Sequence, residues 1–238
     1  MKKNARSGGA PGKLLKWLIL GPVLLLLMLQ AYFFLQIFWW IRHDPEQTSF
    51  MRQQLAVLRE KNPDAVLQHK WVPYRRISTN LKRAIIASED ANFSGHVGVD
   101  WDALQKAYEK NATRRKVVAG GSTITQQLAK NLFLSGSRSY LRKGQELVIT
   151  YMLESLMDKE RIFEIYLNVV EFGSGIFGAE AAARHYYGVT AAGLGASQAA
   201  KLAVMLPSPR FFDRHQASAY LARRSAVILR RMGSAELP

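Results

Sequence analysis

The distribution of apolar residues divides the chain into one continuous hydrophobic run and a longer part with helical spacing. Residues 17–41 (WLILGPVLLLLMLQAYFFLQIFWWI) contain no charged side chain. A run of this length crosses a hydrocarbon layer about 30 Å thick. A cleavable signal peptide is the competing interpretation, but its apolar core is only about 7 to 15 residues long and no small-x-small cleavage site follows this run. The pattern therefore predicts a transmembrane helix.

Beyond residue 41, helix caps and breaks recur at short intervals, whereas the alternation typical of strands is nearly absent. Asp44, Pro45 and Gln47 resemble a helix start, and Thr123 with Gln126 forms a capping box. The glycine-rich FGSGIFG predicts a turn. We predict helices over residues 44–61, 77–90, 101–110, 123–134, 140–157, 158–170, 179–187 and 197–206. The predicted fold class is mainly α, behind a single N-terminal transmembrane helix.

The charge of the chain is strongly basic, with 33 Lys and Arg against 18 Asp and Glu and a formal net charge of +15. Such a surface attracts anions. The residues before the hydrophobic run include five cations and no acid, namely Lys2, Lys3, Arg6, Lys13 and Lys16. This bias places the N-terminus in the cytoplasm and the remaining domain outside, where basic groups meet lipid phosphates and not nucleic acid. Cysteine is absent, which excludes thiol catalysis, zinc-thiolate sites and disulfides.

Glu89 is the first candidate for chemistry. On a helical wheel it falls on the same face as Leu81, Ile85 and Ile86, within roughly 140°. Burial there, together with its place at a helix C-terminus, should raise the pKa of the carboxyl group, and such a group can act as a general base near neutral pH. The alternative is an ordinary Glu at a frayed helix end that pairs with a nearby Arg.

The loop after this helix adds Asp90, Phe93 and His96. The wheel places Asp90 on the opposite side from Glu89, near Lys82 and Arg83, and so predicts a solvated carboxylate. His96 lacks a second ligand at metal-binding spacing, which favours a structural hydrogen-bonding role.

The stretch GGSTITQQLAKNLFL predicts an amphipathic helix with an unusual polar face. Gln126, Gln127, Lys130 and Asn131 share one arc of the wheel. Amides can bind a sugar, Lys130 can bind a phosphate, and the free N–H groups at the helix start add affinity for anions. An ordinary surface helix is the alternative, although such helices usually carry Glu and Lys pairs.

A later helix, predicted over 140–157, is apolar on nearly all sides but carries Glu146. Arg142 and Lys143 precede it by four and three residues, which predicts an internal ion pair. With Arg138, the same cations could instead hold a polyanionic leaving group near a second acid. Both interpretations stay open at this point. Gly173, Gly175 and Gly178 lack a preceding strand and so do not indicate a dinucleotide site.

Four blocks in order resemble the peptidoglycan glycosyltransferases that polymerise lipid II, in their monofunctional, membrane-anchored branch. The blocks are ASEDANFSGHVGVD, GGSTITQQLAKNLFL, RKGQELVITYMLE with KERIFEIYLNVVEFGSGIFGAEAAARHYYG, and KLAVMLPSP. This resemblance implies a lysozyme-like, two-lobed domain with a cleft between the lobes. We expect a basic tail over 1–16, the span over 17–41, a juxtamembrane helical segment over 42–76 and the catalytic domain over 77–238.

The resemblance also implies a reaction. The 4-hydroxyl of GlcNAc on lipid II attacks C1 of the MurNAc at the end of the growing undecaprenyl-pyrophosphate glycan, with inversion and release of undecaprenyl pyrophosphate. The enzyme would lie in the bacterial inner membrane with its catalytic domain in the periplasm, among membrane lipids and division or elongation proteins.

By motif position, the resemblance implies that Glu89 is the base and that Glu146 assists the departing pyrophosphate, directly or through Mg²⁺ or Mn²⁺. It assigns donor contacts and cleft-shaping roles to a further set: Ser122, Gln127, Lys130, Arg138, Arg142, Asp90, Phe93 and His96. One departure is Gln145, at a position that is often basic in relatives. No S-x-x-K or K-T-G occurs, so we expect no transpeptidase activity.

Two other functions are consistent with parts of the sequence. A lysozyme-like hydrolase or lytic transglycosylase would use a single Glu, but it leaves the cations and the membrane anchor without a role. An anchored basic module that binds anionic lipid or wall polymer would explain the charge, but not a buried Glu146.

Overall fold

The computed structural model describes residues 10–114, 120–134, 136 and 139–238, with side chains from residue 18 onward except residue 19. Most of this part is helical, which confirms the predicted mainly α class. Arg138 and residues 1–9 of the predicted basic tail lie outside the described residues. The domain boundary at residue 77 stays a prediction.

Helix α1, Ala10–Trp40, contains the predicted membrane span. Among the described residues, it is the one helix long and apolar enough to cross a membrane, over Leu20–Trp40 with a mean hydropathy of 1.9. Its C-terminal part packs on the rest of the protein, where Ile37 is fully buried and the Phe33 ring lies 4.9 Å from that of Phe133. The length and apolar composition of this helix are compatible with a single-pass membrane anchor.

The chain that follows α1 corrects the predicted helix start at Asp44. Helix α2 spans Ser49–Arg59, and its N-cap is the buried Thr48, whose hydroxyl accepts from the Met51 amide. Asp44 instead pairs with Arg161 at 3.0 Å. The Arg161 guanidinium also donates to the backbone carbonyls of Trp40 and His43. Asp44 therefore helps to bind the segment after α1 to Arg161 and does not cap a helix.

Nine further helices follow in the described part of the chain: α3 (Thr79–Glu89), α4 (Trp101–Arg114), α5 (Ile124–Phe133), α6 (Tyr140–Leu156), α7 (Lys159–Val169), α8 (Ala179–Tyr187), α9 (Ala196–Met205), α10 (Pro209–Arg214) and α11 (Ala219–Arg231). Six of the predicted helices agree with α3 and α5 to α9 within a few residues. Helix α4 runs four residues beyond the predicted Lys110, and Arg114 in its last turn suits the negative end of the helix dipole. Helices α10 and α11 were not predicted.

In the part of the chain that the structure describes, three short strands form a small sheet beside the helices. The strands are β1 (Gln68–His69), β2 (Glu171–Gly173) and β3 (Ile176–Phe177), in the order β1-β3-β2. Strand β3 pairs parallel to β1 and antiparallel to β2, so FGSGIFG is a short hairpin and not only a turn. Gly178 has a φ of 82°, and a Cβ there would lie 2.4 Å from the Asn168 carbonyl oxygen, which requires glycine.

Two helical layers position the site. Helix α3 packs on α9 and α11, and α5 packs on α6 and α7. Leu81, Ile85 and Leu128 are fully buried in the shared core. The C-terminal end of α3 and the N-terminal end of α5 meet where the Asp90 side chain accepts a hydrogen bond from the Ile124 amide.

Candidate active site

Glu89 is the last residue of α3 and lies on the side of that helix that faces the core. It is partly buried, as the wheel predicted. Its Oε2 accepts a hydrogen bond from Gln127 Nε2 at 2.9 Å, and its Oε1 accepts a longer one from the Ser88 hydroxyl at 3.4 Å.

The pKa of Glu89 is raised, which confirms the prediction from the sequence. Burial is the main cause of the raised pKa. Water stabilises the charged carboxylate, and burial takes the carboxylate away from water, so the protonated form is favoured. The hydrogen bonds from Gln127 and Ser88 and the charge of Arg224 oppose the shift, whereas Asp90 adds to it. A carboxyl group in this setting holds a proton more tightly than an exposed one and suits a general base.

Asp90 corrects the prediction of a solvated carboxylate near Arg83. The residue is only 7% exposed, its oxygens lie 2.9 and 3.1 Å from His96 Nε2, and Oδ2 accepts from the Ile124 amide at 3.0 Å. Asp90 has φ −159° and ψ 77°, so the chain has already left the helix and the wheel angle no longer applies. Asp90 thus joins the end of α3 to the start of α5.

Lys82, the other predicted neighbour of Asp90, is also buried. Its ammonium group lies 3.9 Å from the centre of the Tyr74 ring. Burial lowers its pKa, and the charge of Glu160 opposes this shift. Lys82 is therefore part of the protein interior and not of a solvated face.

Phe93 and His96 lie in the loop that frames Glu89. Phe93 is fully buried against Phe163, with ring centres 5.5 Å apart, and under the ammonium group of Lys159. His96 makes the expected structural hydrogen bond, to Asp90. Both side chains therefore pack or hydrogen-bond within the protein beside the segment that follows Glu89.

The structure brings Asp90, His96 and Asp100 together, which the sequence did not indicate. One potential ligand atom from each lies within 4.8 Å of the others. Asp90 and Asp100 already accept backbone amide hydrogens, from Ile124 and Ala103. The carboxylates of Asp90 and Asp100 therefore stabilise the N-terminal ends of α5 and α4, and these hydrogen bonds explain why the carboxylates lie where they do.

Helix α5 begins with the predicted capping box, in which Thr123 and Gln126 exchange hydrogen bonds with each other's backbone. Gln126 is consequently buried and faces the cap, which corrects its placement on the polar ligand face. Gln127, Lys130 and Asn131 line a cavity of 310 Å³ with Glu171 and Arg210. Two amides and a cation therefore converge, as the sequence predicted.

A second cavity of 380 Å³ opens at Glu89 and Asp90. Ser122, which is exposed, lines this second cavity and not the first. Gln127 lines the first cavity and bonds to Glu89 at the second, so it stands between them. Glu89 therefore lies close to the boundary between two neighbouring cavities.

Glu146 is buried on α6, at 3% exposure, and is saturated by cations. Arg142 Nη1 lies 2.6 Å from Oε2, and Lys143 Nζ donates to Oε1, so the predicted ion pair is confirmed. Burial lowers the pKa of Lys130; the charge of Glu146 opposes the shift, and Arg142 and Lys143 add to it. The cations of α5 and α6 thus share one electrostatic environment.

The surroundings of Glu146 do not fit the divalent cation that the resemblance implied. Both carboxylate oxygens are occupied by Arg142 and Lys143. The nearby Lys130 adds a further positive group. An anion, and not Mg²⁺ or Mn²⁺, is the ligand that this charge favours, and no catalytic step below requires a metal.

Three residues near the site were not found from the sequence. Tyr166 donates from its hydroxyl to Gln127 Oε1 at 3.0 Å, and Arg224 on α11 lies close enough to affect Glu89. In the first cavity, Arg210 donates from Nε to Glu171 Oε1 and from Nη2 to Oε2, each at 3.0 Å. The spacing of Tyr166 along α7 carries no signal for a contact with α5.

Comparisons with known proteins place the chain in a family. The family model described as Transglycosylase matches residues 55–233. The chain is 76% identical over 226 residues to a protein from Herminiimonas arsenicoxydans named biosynthetic peptidoglycan transglycosylase, covering 95% of this chain and 98% of that one. It is 77% identical over 226 residues to a protein of the same name from Janthinobacterium, with the same coverage. A Bordetella pertussis protein of that name is 57% identical over 224 residues, covering 92% of this chain and 93% of that one.

Proposed function

This chain belongs to the transglycosylase family and is a peptidoglycan glycosyltransferase, and we propose that it extends glycan strands by joining lipid II to a growing undecaprenyl-pyrophosphate glycan. The observation that carries this proposal is the position of Glu89. Its carboxyl group has a raised pKa and is held by Gln127 beside the cavity that contains Lys130. A proton acceptor and a cationic leaving-group site are thus adjacent.

In the proposed reaction, Glu89 accepts the proton of the GlcNAc 4-hydroxyl on lipid II. The oxygen forms a bond to C1 of the MurNAc at the end of the donor glycan, and the bond from C1 to the phosphate oxygen breaks. The bonding pair leaves with undecaprenyl pyrophosphate, so the anomeric centre inverts.

The departing pyrophosphate needs positive charge where negative charge develops. Lys130, Arg142 and Lys143 supply that charge on two packed helices. We assign to Glu146 the role of holding Arg142 and Lys143 in place, because both of its oxygens are bonded to them. Arg138 belongs to the same proposed cluster by motif position.

We further propose that α1 anchors the enzyme in the bacterial inner membrane with the N-terminus in the cytoplasm. The lipid tails of both substrates require a site close to the bilayer, and the packing of Phe33 and Ile37 on the domain holds the site near the span. Membrane lipids are then direct neighbours, and division or elongation proteins of the same membrane are possible partners.

A direct experiment tests the proposed direction of the reaction. Full-length protein in detergent is given either labelled lipid II or preformed glycan. We expect lysozyme-sensitive polymer from lipid II and no shortening of preformed glycan. The opposite pair of results would favour a lysozyme-like hydrolase or lytic transglycosylase.

A further inference from the structure

Tyr166 lies on α7, and its ring is fully buried. Its hydroxyl donates to Gln127 Oε1 at 3.0 Å, and the amide group of the same Gln127 donates to Glu89 Oε2 at 2.9 Å. Two hydrogen bonds of ordinary length therefore connect Tyr166 in the protein interior to Gln127, and Gln127 to Glu89.

We propose that Tyr166 is a positioning residue, whose hydroxyl fixes the amide of Gln127 so that its N–H group faces Glu89. This inference rests on the proposed role of Glu89 as the base. Tyr166 itself touches neither substrate nor the reacting atoms.

The orientation of the amide follows from donor and acceptor chemistry. A glutamine side chain has one oxygen that accepts and one nitrogen that donates. With the oxygen toward Tyr166, the nitrogen faces Glu89 and stabilises its carboxylate. With the amide reversed, the oxygen would face Glu89, which is tolerable only if the carboxyl group carries a proton.

Tyr166 is suited to act as a donor. Burial raises its pKa well above 10, and the charges of Glu89 and Asp90 add to this shift, so the hydroxyl keeps its proton across the working range. A buried hydroxyl that only filled space would cost desolvation, and a phenylalanine would avoid that cost. The hydrogen bond to Gln127 offsets the cost of burying the hydroxyl.

The other groups that face Glu89 do not fix this amide. Ser88 on α3 bonds to Oε1 at 3.4 Å, Asp90 follows it in the chain, and Arg224 acts from α11. Among the described residues, the hydrogen-bond partners of the Gln127 side chain are Tyr166 and Glu89. Loss of the Tyr166 hydroxyl is therefore expected to affect Glu89 through Gln127 alone.

The test measures the initial rate of lipid II polymerisation against pH for the full-length native protein and for Tyr166→Phe. The rate must rise with pH as Glu89 loses its proton. Without the oriented amide, the carboxylate is less favoured, so we expect the acidic limb to move to higher pH. On that limb the variant should be slower by roughly tenfold, which corresponds to one hydrogen bond to a charged group. At high pH the loss should be smaller.

Two comparisons separate this effect from a structural one. Tyr187→Phe removes the hydroxyl of a partly buried tyrosine, 3.5 Å from the Gln198 carbonyl and outside the site, and should leave the acidic limb in place. In a Gln127→Ala background, Tyr166→Phe should produce no further movement of the limb. Two results would overturn the inference. One is a rate of Tyr166→Phe that is reduced by the same factor at every pH. The other is an acidic limb that Tyr166→Phe moves as far in the Gln127→Ala background as in the native protein.

Failure of this inference is distinguishable from failure of the proposed function. If the native protein makes no polymer, the proposed function is wrong. If the native protein makes polymer and Tyr166→Phe retains the native acidic limb, only the role of Tyr166 is wrong.

Discussion

The side chains of Gln30 and Gln145 donate hydrogen bonds to each other, at 2.8 and 3.0 Å. Gln30 lies inside the apolar helix α1, and Gln145 directly precedes Glu146 on α6. The resemblance implied a basic residue at position 145, and the structure gives the amide found there a partner on α1. The amide at this position binds the anchor helix and not an anion.

Loss of this amide pair should loosen the anchor helix. Polar side chains hold membrane helices together because an unpaired amide in an apolar layer is unfavourable. We expect Gln30→Leu and Gln145→Leu each to reduce stability by about 1 kcal/mol, with less than additive loss in the double variant. Thermal unfolding of the full chain in detergent measures this cycle.

Gln36→Leu is the matched control for that cycle. Gln36 lies on the same helix, and its side chain has no hydrogen bond to any residue that the structure describes. Its replacement should leave the unfolding midpoint within the error of the native value. Strictly additive effects of Gln30→Leu and Gln145→Leu would contradict a direct interaction.

Ionised Glu89 should reduce the stability of the protein. Its pKa in the folded state is raised above the unfolded value of about 4.5, so the folded state holds this proton more tightly. Stability is therefore lost as the pH rises through the window between the two values. We expect Glu89→Gln to raise the unfolding midpoint at neutral pH, where about 1 kcal/mol corresponds to about 2 to 4 °C.

The same comparison at low pH supplies the check. Below the unfolded pKa, both the native Glu89 and its Gln replacement are uncharged, so the difference between the two midpoints should shrink. A difference that stays constant from acidic to neutral pH would show that charge burial is not its cause.

Lys130→Ala should reduce polymerisation far more than it reduces stability. The lysine offers its charge to the departing pyrophosphate, and loss of one such group typically costs about 100-fold to 1000-fold in rate. Arg142→Ala and Arg138→Ala should lower the rate in the same way. Lys61→Ala, which removes an exposed lysine after α2, should retain the native rate within about twofold. Full activity of Lys130→Ala would exclude the pyrophosphate contact.

The absence of cysteine allows a clean test of membrane orientation. Single substitutions Ser7→Cys and Ser234→Cys introduce one reactive thiol on each side of α1. In intact cells with a permeable outer membrane, an impermeant maleimide should label Ser234→Cys and not Ser7→Cys. Labelling of Ser7→Cys alone would reverse the proposed topology, and lysis should make both positions reactive.

Features set by local chemistry could be predicted from the sequence. The capping box of Thr123 and the predicted helices over 158–170 and 179–187 each depend on neighbouring residues, and the structure contains all three, the helices within one residue of their predicted ends. Glu89 was placed correctly for the same reason, since the periodicity of α3 holds up to its last residue.

Features set by distant contacts could not be predicted. Asp90 follows the last helical residue, and its partner Ile124 lies 34 residues away. The Gln30 and Gln145 pair joins positions 115 residues apart, and Tyr166 reaches Gln127 across 39. A helical wheel describes one helix, whereas these contacts depend on how two helices meet.

The central claim is that Glu89 is the base of glycan polymerisation. The most direct measurement is the initial rate of polymer formation from labelled lipid II by native protein and by Glu89→Gln, in detergent and at neutral pH. Glutamine retains the size and the hydrogen-bond acceptor but cannot take a proton, so the account predicts a folded variant that forms no measurable polymer. Polymerisation by Glu89→Gln at the native rate would contradict it.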